Sequence, residues 1–349
     1  MIHPRENDLV IGTHGRGIYI LDDITPLEKI AEASAAGPAY LFPAKPVTLY
    51  NENGSFPGGR GAAAEGERTF AAPNPPYGSM LTYYIRDSIP RGQQVSLAIY
   101  DSTGKKVRDL TASAKQGMHR LTWDLRLAAP YSAPRGTPAF RQPRGSFVLP
   151  GRYTARLSVG GRSGAPSTTR ETSIEVRPDP LVSLSAAEYR DLHTMRVRAG
   201  QAQANVQAAV RSGEQVKQQI AEAKTALRNA TGSDALSTEA SALERDVDDI
   251  LAKLRGRQDS TGGSNDVDDK SRSEPSIQDR VDQVAEDIGG VTSPPTQLQR
   301  ETITLAIADL QRESAKLNTI ITTRIPPFFQ KLDAAGVPWS LGRPVQIIK

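Results

Sequence analysis

The sequence predicts a multidomain β-plus-α protein: an apolar N-terminal hairpin, an antiparallel β-sandwich, and C-terminal antiparallel helical hairpins or a bundle. Three observations predict it. Gly and Pro, 29 and 25 in 349 residues, fall mostly before residue 180, where short apolar runs alternate with turn residues. After Asp179-Pro180 the apolar period changes from 2 to about 3.5. The length suits two or three domains better than one.

Residues 8–23 read as a hairpin. Leu9-Val10-Ile11 and Ile18-Tyr19-Ile20-Leu21 are β-branched or aromatic runs, and the turn between them carries Gly12, Gly15 and Gly17. Both runs are almost continuously apolar, so they expect cover on both faces. A two-stranded hairpin is marginal alone in water, and this one needs partners. The three glycines are explained by positive φ or close backbone approach. They are neither a phosphate loop nor a dinucleotide fingerprint, since no helix follows.

Residues 51–76 are rich in Gly, Ala and Pro and read as a loop. Strands follow at Met80 to Ile85, Val95 to Tyr100 and Lys106 to Leu110, the last after the turn Asp101-Ser102-Thr103-Gly104. Leu121, Trp123 and Leu125 share one face of the next run, and Tyr153 to Val159 alternates after Pro150-Gly151. Thr172 to Val176 is the last strand. About seven short strands with regular turn signals argue for an immunoglobulin-like sandwich over 40–178.

The helical region covers 185–340, with a polar linker at 258–275. Ser185 is the expected N-cap, with Glu188 completing a capping box. A stripe follows through Leu192, Met195, Ala199, Ala202, Val206, Val210, Val216, Ile220, Ala223 and Leu227. Leu236, Ala240, Leu243, Val247, Ile250 and Leu254 repeat it, then Ile277, Val281, Val284 and Ile288. Ser293-Pro294 is the expected start for Ile303, Ile307, Leu310, Leu317 and Ile321. Narrow stripes of this kind belong to helices packed on one another.

Composition excludes several function classes. Without cysteine there are no disulfides, thiolate metal sites or cysteine nucleophile. No apolar run approaches the roughly 20 residues that span a bilayer, and Met1 is not followed by a signal segment. Residues 1–184 carry 22 Lys and Arg against 16 Asp and Glu, and residues 185–349 carry 21 against 23. A front of +6 and a back of −2, both dispersed, argue against nucleic acid as a partner.

No recognisable catalytic constellation, cofactor fingerprint or metal-ligand spacing appears. Asp22 and Asp23 are adjacent on a strand, so they point to opposite faces and cannot flank one glycosidic bond. His3, His14, His119 and His193 lack metal spacing. Asp266, Asp268 and Asp269 resemble a calcium loop only until Lys270 and Ile277 occupy the positions that need Gly and Glu. Arg135, Arg141 and Arg144, with Phe140, read as an exposed crossing loop of the sandwich. Gly161-Arg162-Ser163-Gly164-Ala165 misses the nucleophile-elbow spacing.

Three stretches carry a likeness to a family. The run from His3 to Asp23 (His3-Pro4-Arg5-Glu6-Asn7-Asp8 through Ile18-Tyr19-Ile20-Leu21-Asp22-Asp23) resembles the closing strands of a BNR-repeat, sortilin-type β-propeller. That family comprises large exported bacterial proteins often labelled glycosyl hydrolases. Asn74-Pro75-Pro76-Tyr77-Gly78 with Leu81-Thr82-Tyr83-Tyr84, and Trp123-Asp124-Leu125-Arg126, resemble strands of the sandwich that follows such a propeller. The sandwich is also similar to the Ig-like domain of flagellar hook-capping proteins, and Ser293-Pro294-Pro295-Thr296-Gln297 is similar to a helix start in the family's tail.

The resemblance implies that residues 1–30 are the last strands of a truncated propeller, and that the chain is the C-terminal portion of an exported protein, periplasmic or extracellular. It implies a non-catalytic structural and interaction region, with a protein partner or self-association through the helices and carbohydrate met through the propeller. His14 and Arg16, in the hairpin turn, are the candidate rim contacts for an acidic group. The competing expectations are a glycosidase whose site lies in the propeller, and a carbohydrate-binding sandwich. The second of these has few aromatics to spare at 5% of residues.

Overall fold

The computed structural model describes residues 1–15, 17–51, 75–89, 93–138, 142–161, 168–228, 230, 234–256 and 274–337. Mixed β-sheets occupy the front of the chain and a group of helices its C-terminal part. The chain divides into two compact units, Met1–Ala129 with Arg144–Arg190, and Pro130–Pro143 with Asp191–Lys349.

The first unit begins with the hairpin β1 (Leu9–Gly12) and β2 (Ile18–Leu21), then two short helices, α1 (Thr25–Glu28) and α2 (Ile30–Ala35). Among the described residues eight strands follow in two sheets: β3 (Ala39–Leu41), β4 (Val47–Leu49), β5 (Ser79–Ile85), β6 (Gln93–Tyr100), β7 (Lys106–Leu110), β8 (Gly117–Trp123), β9 (Gly151–Gly161) and β10 (Thr168–Pro178). One sheet has the order β4-β10-β9-β6-β7 and the other β3-β5-β8. Neighbours are antiparallel except β4, which joins β10 in parallel.

Period-2 alternation decides which side chains enter the core. Tyr153, Ala155, Leu157 and Val159 of β9, Leu97 and Ile99 of β6, and Ile174 and Val176 of β10 are buried from the first sheet. Leu81, Tyr83, Ile85 and Trp123 meet them from the second in a single core. Buried polar tips find partners, as buried polar groups must. The Tyr83 hydroxyl donates to Ser113 O (3.0 Å) and accepts from Ser113 N (2.6 Å). The Tyr153 hydroxyl donates to Leu149 O at 2.8 Å, and burial pushes this phenol up to about 12.

The helices are α3 (Ala186–Leu227), α4 (Asp234–Arg255), α5 (Ile277–Gly289) and α6 (Gln297–Thr319), and from Asp191 on they belong to the second unit. A π-turn at Ile320–Arg324 then leads into α7 (Ile325–Ala334). Ser185 and Glu188 form the expected capping box: Ser185 N donates to Glu188 Oε2 (2.8 Å) and Glu188 N to Ser185 Oγ (3.3 Å). Ser276 and Asp279 cap α5 in the same way. The start of α6 differs from the expectation at Ser293-Pro294. Its cap is Thr296, because only there does a Gln stand three residues on to close the box, with Thr296 N donating to Gln299 Oε1 at 2.9 Å.

Cross-helix contacts set the directions. Lys224 meets Glu244 (2.5 Å), Lys217 meets Asp248 (2.6 Å) and Glu214 meets Arg255, so α4 runs antiparallel to α3. Gln203–Asp282 (2.8 Å) and Arg196 donating to Ile288 O (2.8 Å) carry α5 onward along α3 in the same sense. The next helix returns alongside α3, with Arg300 on Asp191 (3.0 Å) and Arg198 on Thr304 (3.1 Å). Arg324–Asp246 (2.5 Å) and Lys331–Glu239 (2.8 Å) then hold the π-turn and α7 antiparallel to α4. Among the described residues three rods result: α3, α4 with α5, and α6 with α7. At 42 residues α3 is about 60 Å long.

The seams follow heptad spacing more strictly than apolarity suggests. On α3 the buried line runs 199, 202, 206, then Gly213, 216 and 220, while Val210 is only half-buried. Gly213 holds a seam position because Leu251 fills it: a Cβ there would lie 2.7 Å from Leu251 Cδ2. On α6 the seam is Ile303, Ala306, Leu310, Glu313 and Leu317, then Ile320, with Ile307 and Ile321 beside it. The π-turn has a local cause. Pro326 and Pro327 lack the N–H groups that would bond the carbonyls four residues back, and Ile325 N donates instead to Ile320 O.

The segment Pro130–Pro143 clusters with the helices, where the sequence reading made it a crossing loop of the sandwich. Pro130 accounts for part of this, since its ring lies 3.7 Å from where a Cβ of Gly200 on α3 would stand. Arg141 and Phe140 lie outside the described residues, as do Asp266, Asp268, Asp269 and residues 162–165. Among the described residues, no helix is long and apolar enough to cross a membrane.

Candidate functional site

The hairpin is the feature of the fold that its own core does not account for. Its strands pair in the register Leu9↔Leu21, Val10↔Ile20, Ile11↔Tyr19 and Gly12↔Ile18. Val10 N donates to Met1 O and the Met1 amino group to Val10 O, so the first residues flank β1 on its other side. That leaves β2 at the edge of the ribbon among the described residues. Ile18, Tyr19, Ile20 and Leu21 are 73, 65, 61 and 44% exposed, so both faces of β2 meet solvent. Exposed large apolar residues scattered singly are ordinary, but a contiguous run on an open strand edge marks an interaction surface or an aggregation hazard.

The foot of the hairpin is held by polar contacts. Asp8 Oδ1 accepts from Asp23 N (2.9 Å), and Asp23 Oδ1 accepts from the Thr25 hydroxyl (2.6 Å) and lies 3.2 Å from Lys45 Nζ. Lys45 also donates to Glu6 O. Arg120, on β8, donates Nη1 to Asp22 O (2.7 Å), Nη2 to Asp23 O (2.8 Å) and Nε to Thr82 Oγ1 (3.2 Å). Asn7 (φ 56°) and Asp23 (φ 45°) take the left-handed conformations that Asn and Asp tolerate, and Ile24 N donates to Asn7 O at 2.9 Å. The apolar edge is therefore presented from a fixed base.

Arg120→Ala is expected to loosen this base. It removes three hydrogen bonds from a charged donor at a partly exposed site, a loss of about 1–2 kcal/mol. Amide hydrogen exchange in residues 8–23 should accelerate while that of β6 and β9 stays unchanged. Uniform acceleration through both sheets would show that the arginine supports the core instead.

The residues singled out in the sequence are only partly brought together. His14 is exposed at the turn, and Arg16 lies outside the described residues. The turn is closed by Thr13, whose hydroxyl accepts from Gly17 N and donates to Gly17 O, both at 3.0 Å. Gly12, Gly15 and Gly17 do not take the positive φ expected of them. Close approach applies at Gly17 alone, where a Cβ would lie 3.0 Å from Thr13 Oγ1.

The chain matches no protein-family model, no curated protein and no solved structure. Its site must be read from its own chemistry. Asp23 has its carboxylate engaged at the hairpin foot, His3 Nδ1 accepts from Glu6 N (3.2 Å), and the His119 ring stacks on Tyr83 with Nε2 2.6 Å from Lys115 O. No group of three or more His, Asp or Glu among the described residues is placed to hold a metal ion. The anchors Lys45 and Arg120 were not singled out in the sequence. Most of their partners are backbone carbonyls distant in sequence, and carbonyls carry no sequence signal.

Proposed function

We propose that this chain is a non-catalytic structural and interaction region from the C-terminal part of an exported BNR-type β-propeller protein. Residues 1–30 close the propeller, an Ig-like sandwich over 40–178 braces it, and the helices of 185–340 engage a protein partner or a second copy. The observation that supports this reading is β2, four large apolar side chains exposed on both faces of a firmly anchored strand. A neighbouring strand of a blade would pair the open edge and cover those side chains, as closed β architectures do.

The glycosidase alternative rests on the resemblance alone, with carbohydrate met through the propeller and His14 and Arg16 as rim contacts. The test is hydrogen exchange on the chain with and without the in-frame sequence encoded upstream of Met1. Expected is an upstream frame that continues in blade-like repeats, and exchange at Ile18–Leu21 slowed about a hundredfold or more in the longer protein, the mark of a paired strand. A stop codon directly upstream, or equal exchange in the two proteins, would overturn the proposal.

A further inference from the structure

The last rod of the helical unit is weakest where α6 passes through the π-turn into α7. Pro326 and Pro327 deny the carbonyls of Thr322 and Thr323 their usual helical donors. The hydroxyls of Thr319, Thr322 and Thr323 bond back to Ala315 O, Asn318 O and Thr319 O at 3.0, 2.8 and 2.6 Å, a pattern that bends helices. Helix α4 also stands off at this level. A cavity of about 420 Å³ opens between Ile250 and Lys253 on α4 and Ile320 and Arg324 on the turn.

Just before the turn, Glu313 takes a seam position between Leu310 and Leu317, and its side chain is 3% exposed. Its Oε2 is buried with no hydrogen bond, and Lys253 Nζ on α4 stands 3.8 Å away, beyond hydrogen-bond reach. A buried carboxylate oxygen without a donor destabilises the packing around it, and that cost is relieved when the helices part and water enters. Turn, cavity and buried acid coincide, so the chain has a hinge there.

Beyond the hinge, α7 is a short apolar arm. It buries Ile325, Phe328 and Leu332 and packs on α4. The ion pairs Arg324–Asp246 and Lys331–Glu239 that fasten its polar side are about half exposed, and pairs of that kind hold weakly.

We propose that α7 is an exchangeable arm, which in a second copy of the chain replaces that copy's own α7 on α4 and so forms a two-fold symmetric dimer. The surface it enters is identical to the one it fits at home. Every contact of α7 with α4 is then remade between chains, and the exchange costs little more than opening the hinge. A second copy thereby becomes what the helices engage, which rests on that part of the proposed function; the propeller part is tested separately, by exchange at Ile18–Leu21.

The test is light scattering of the full chain between about 10 μM and 1 mM, after refolding from urea so that arms can exchange. Expected is a dimer whose share grows with concentration. Lys331→Glu and Glu239→Lys each set like charges face to face, whether the arm stays at home or enters an identical copy. Refolded together, the two variants place an acid opposite a base at both positions only by exchanging arms with each other. Their mixture should therefore dimerise at least about tenfold more tightly than either variant alone. Both positions are solvent-accessible, so neither substitution threatens the fold. A monomer at every concentration, or a mixture no more dimeric than the two variants apart, would overturn the proposal.

Discussion

Replacing Trp123 with Ala should destabilise the β unit by about 3–5 kcal/mol, the usual range for removing a large aromatic from a core. The indole is fully buried, and its ring meets Tyr153 edge-on with centroids 5.2 Å apart. Its Nε1 donates to Arg126 O at 3.0 Å, so the truncation also leaves a carbonyl without its donor. Arg126 is itself fixed, with its guanidinium 3.6 Å above the Phe147 ring and Nη1 on Gly145 O at 3.0 Å. The indole thus ties β8 to the segment that crosses back toward β9. Urea unfolding followed by exchange of β6 and β9 amides measures the loss. Trp123→Phe should recover part of it, by filling volume without restoring the hydrogen bond. A loss below about 1 kcal/mol, the scale of ordinary surface changes, would show that the core tolerates the cavity and does not depend on the indole.

Trp123 also illustrates what the sequence made legible. Strands long enough to show alternation, such as β5, β6 and β9, declare both their existence and their buried face. Ala39–Leu41 and Val47–Leu49, at three residues each, show no period, and β4 depends on pairing with β10 far along the chain. The short helices before β3 have the same problem. In the helical unit the period was readable but the identity of seam residues was not. Gly213 and Glu313 sit where an apolar residue is expected, one because Leu251 fills its space and the other because three cations surround it.

The candidate surface was legible for a simple reason: apolarity on both faces of a short hairpin is visible in a linear sequence. Its supports were not. Arg120 reaches Asp22 and Asp23 across nearly a hundred residues, and Lys45 meets Asp23 from a loop. The buried Glu313 had one available signal, an acid at a heptad seam position. A stripe traced through Ile303, Ile307 and Leu310 drifts off the seam and steps past it.

Gly78→Ala should cost about 3 kcal/mol or more, by two effects that can be separated. The backbone there has φ +127°, a conformation that suits glycine. A Cβ would also stand 2.0 Å from Trp123 O and 2.7 Å from Trp123 C, and neither is the tip of a flexible side chain. Relief requires β8 to move, which breaks the pairing of Ser79 with Trp123 where β5 and β8 meet. Gly104→Ala isolates the conformational part, because φ is +81° there and nothing lies within 4 Å of the added carbon. That control should lose only about 1–2 kcal/mol. If both variants lose the same amount in urea unfolding, the steric argument fails. If Gly78→Ala loses more, the effect should reach the hairpin, since Arg120 holds Asp22 and Asp23 from the strand that must shift. Exchange at residues 18–23 would then rise in Gly78→Ala and not in Gly104→Ala, linking the register of β5 and β8 to the presentation of the exposed apolar edge.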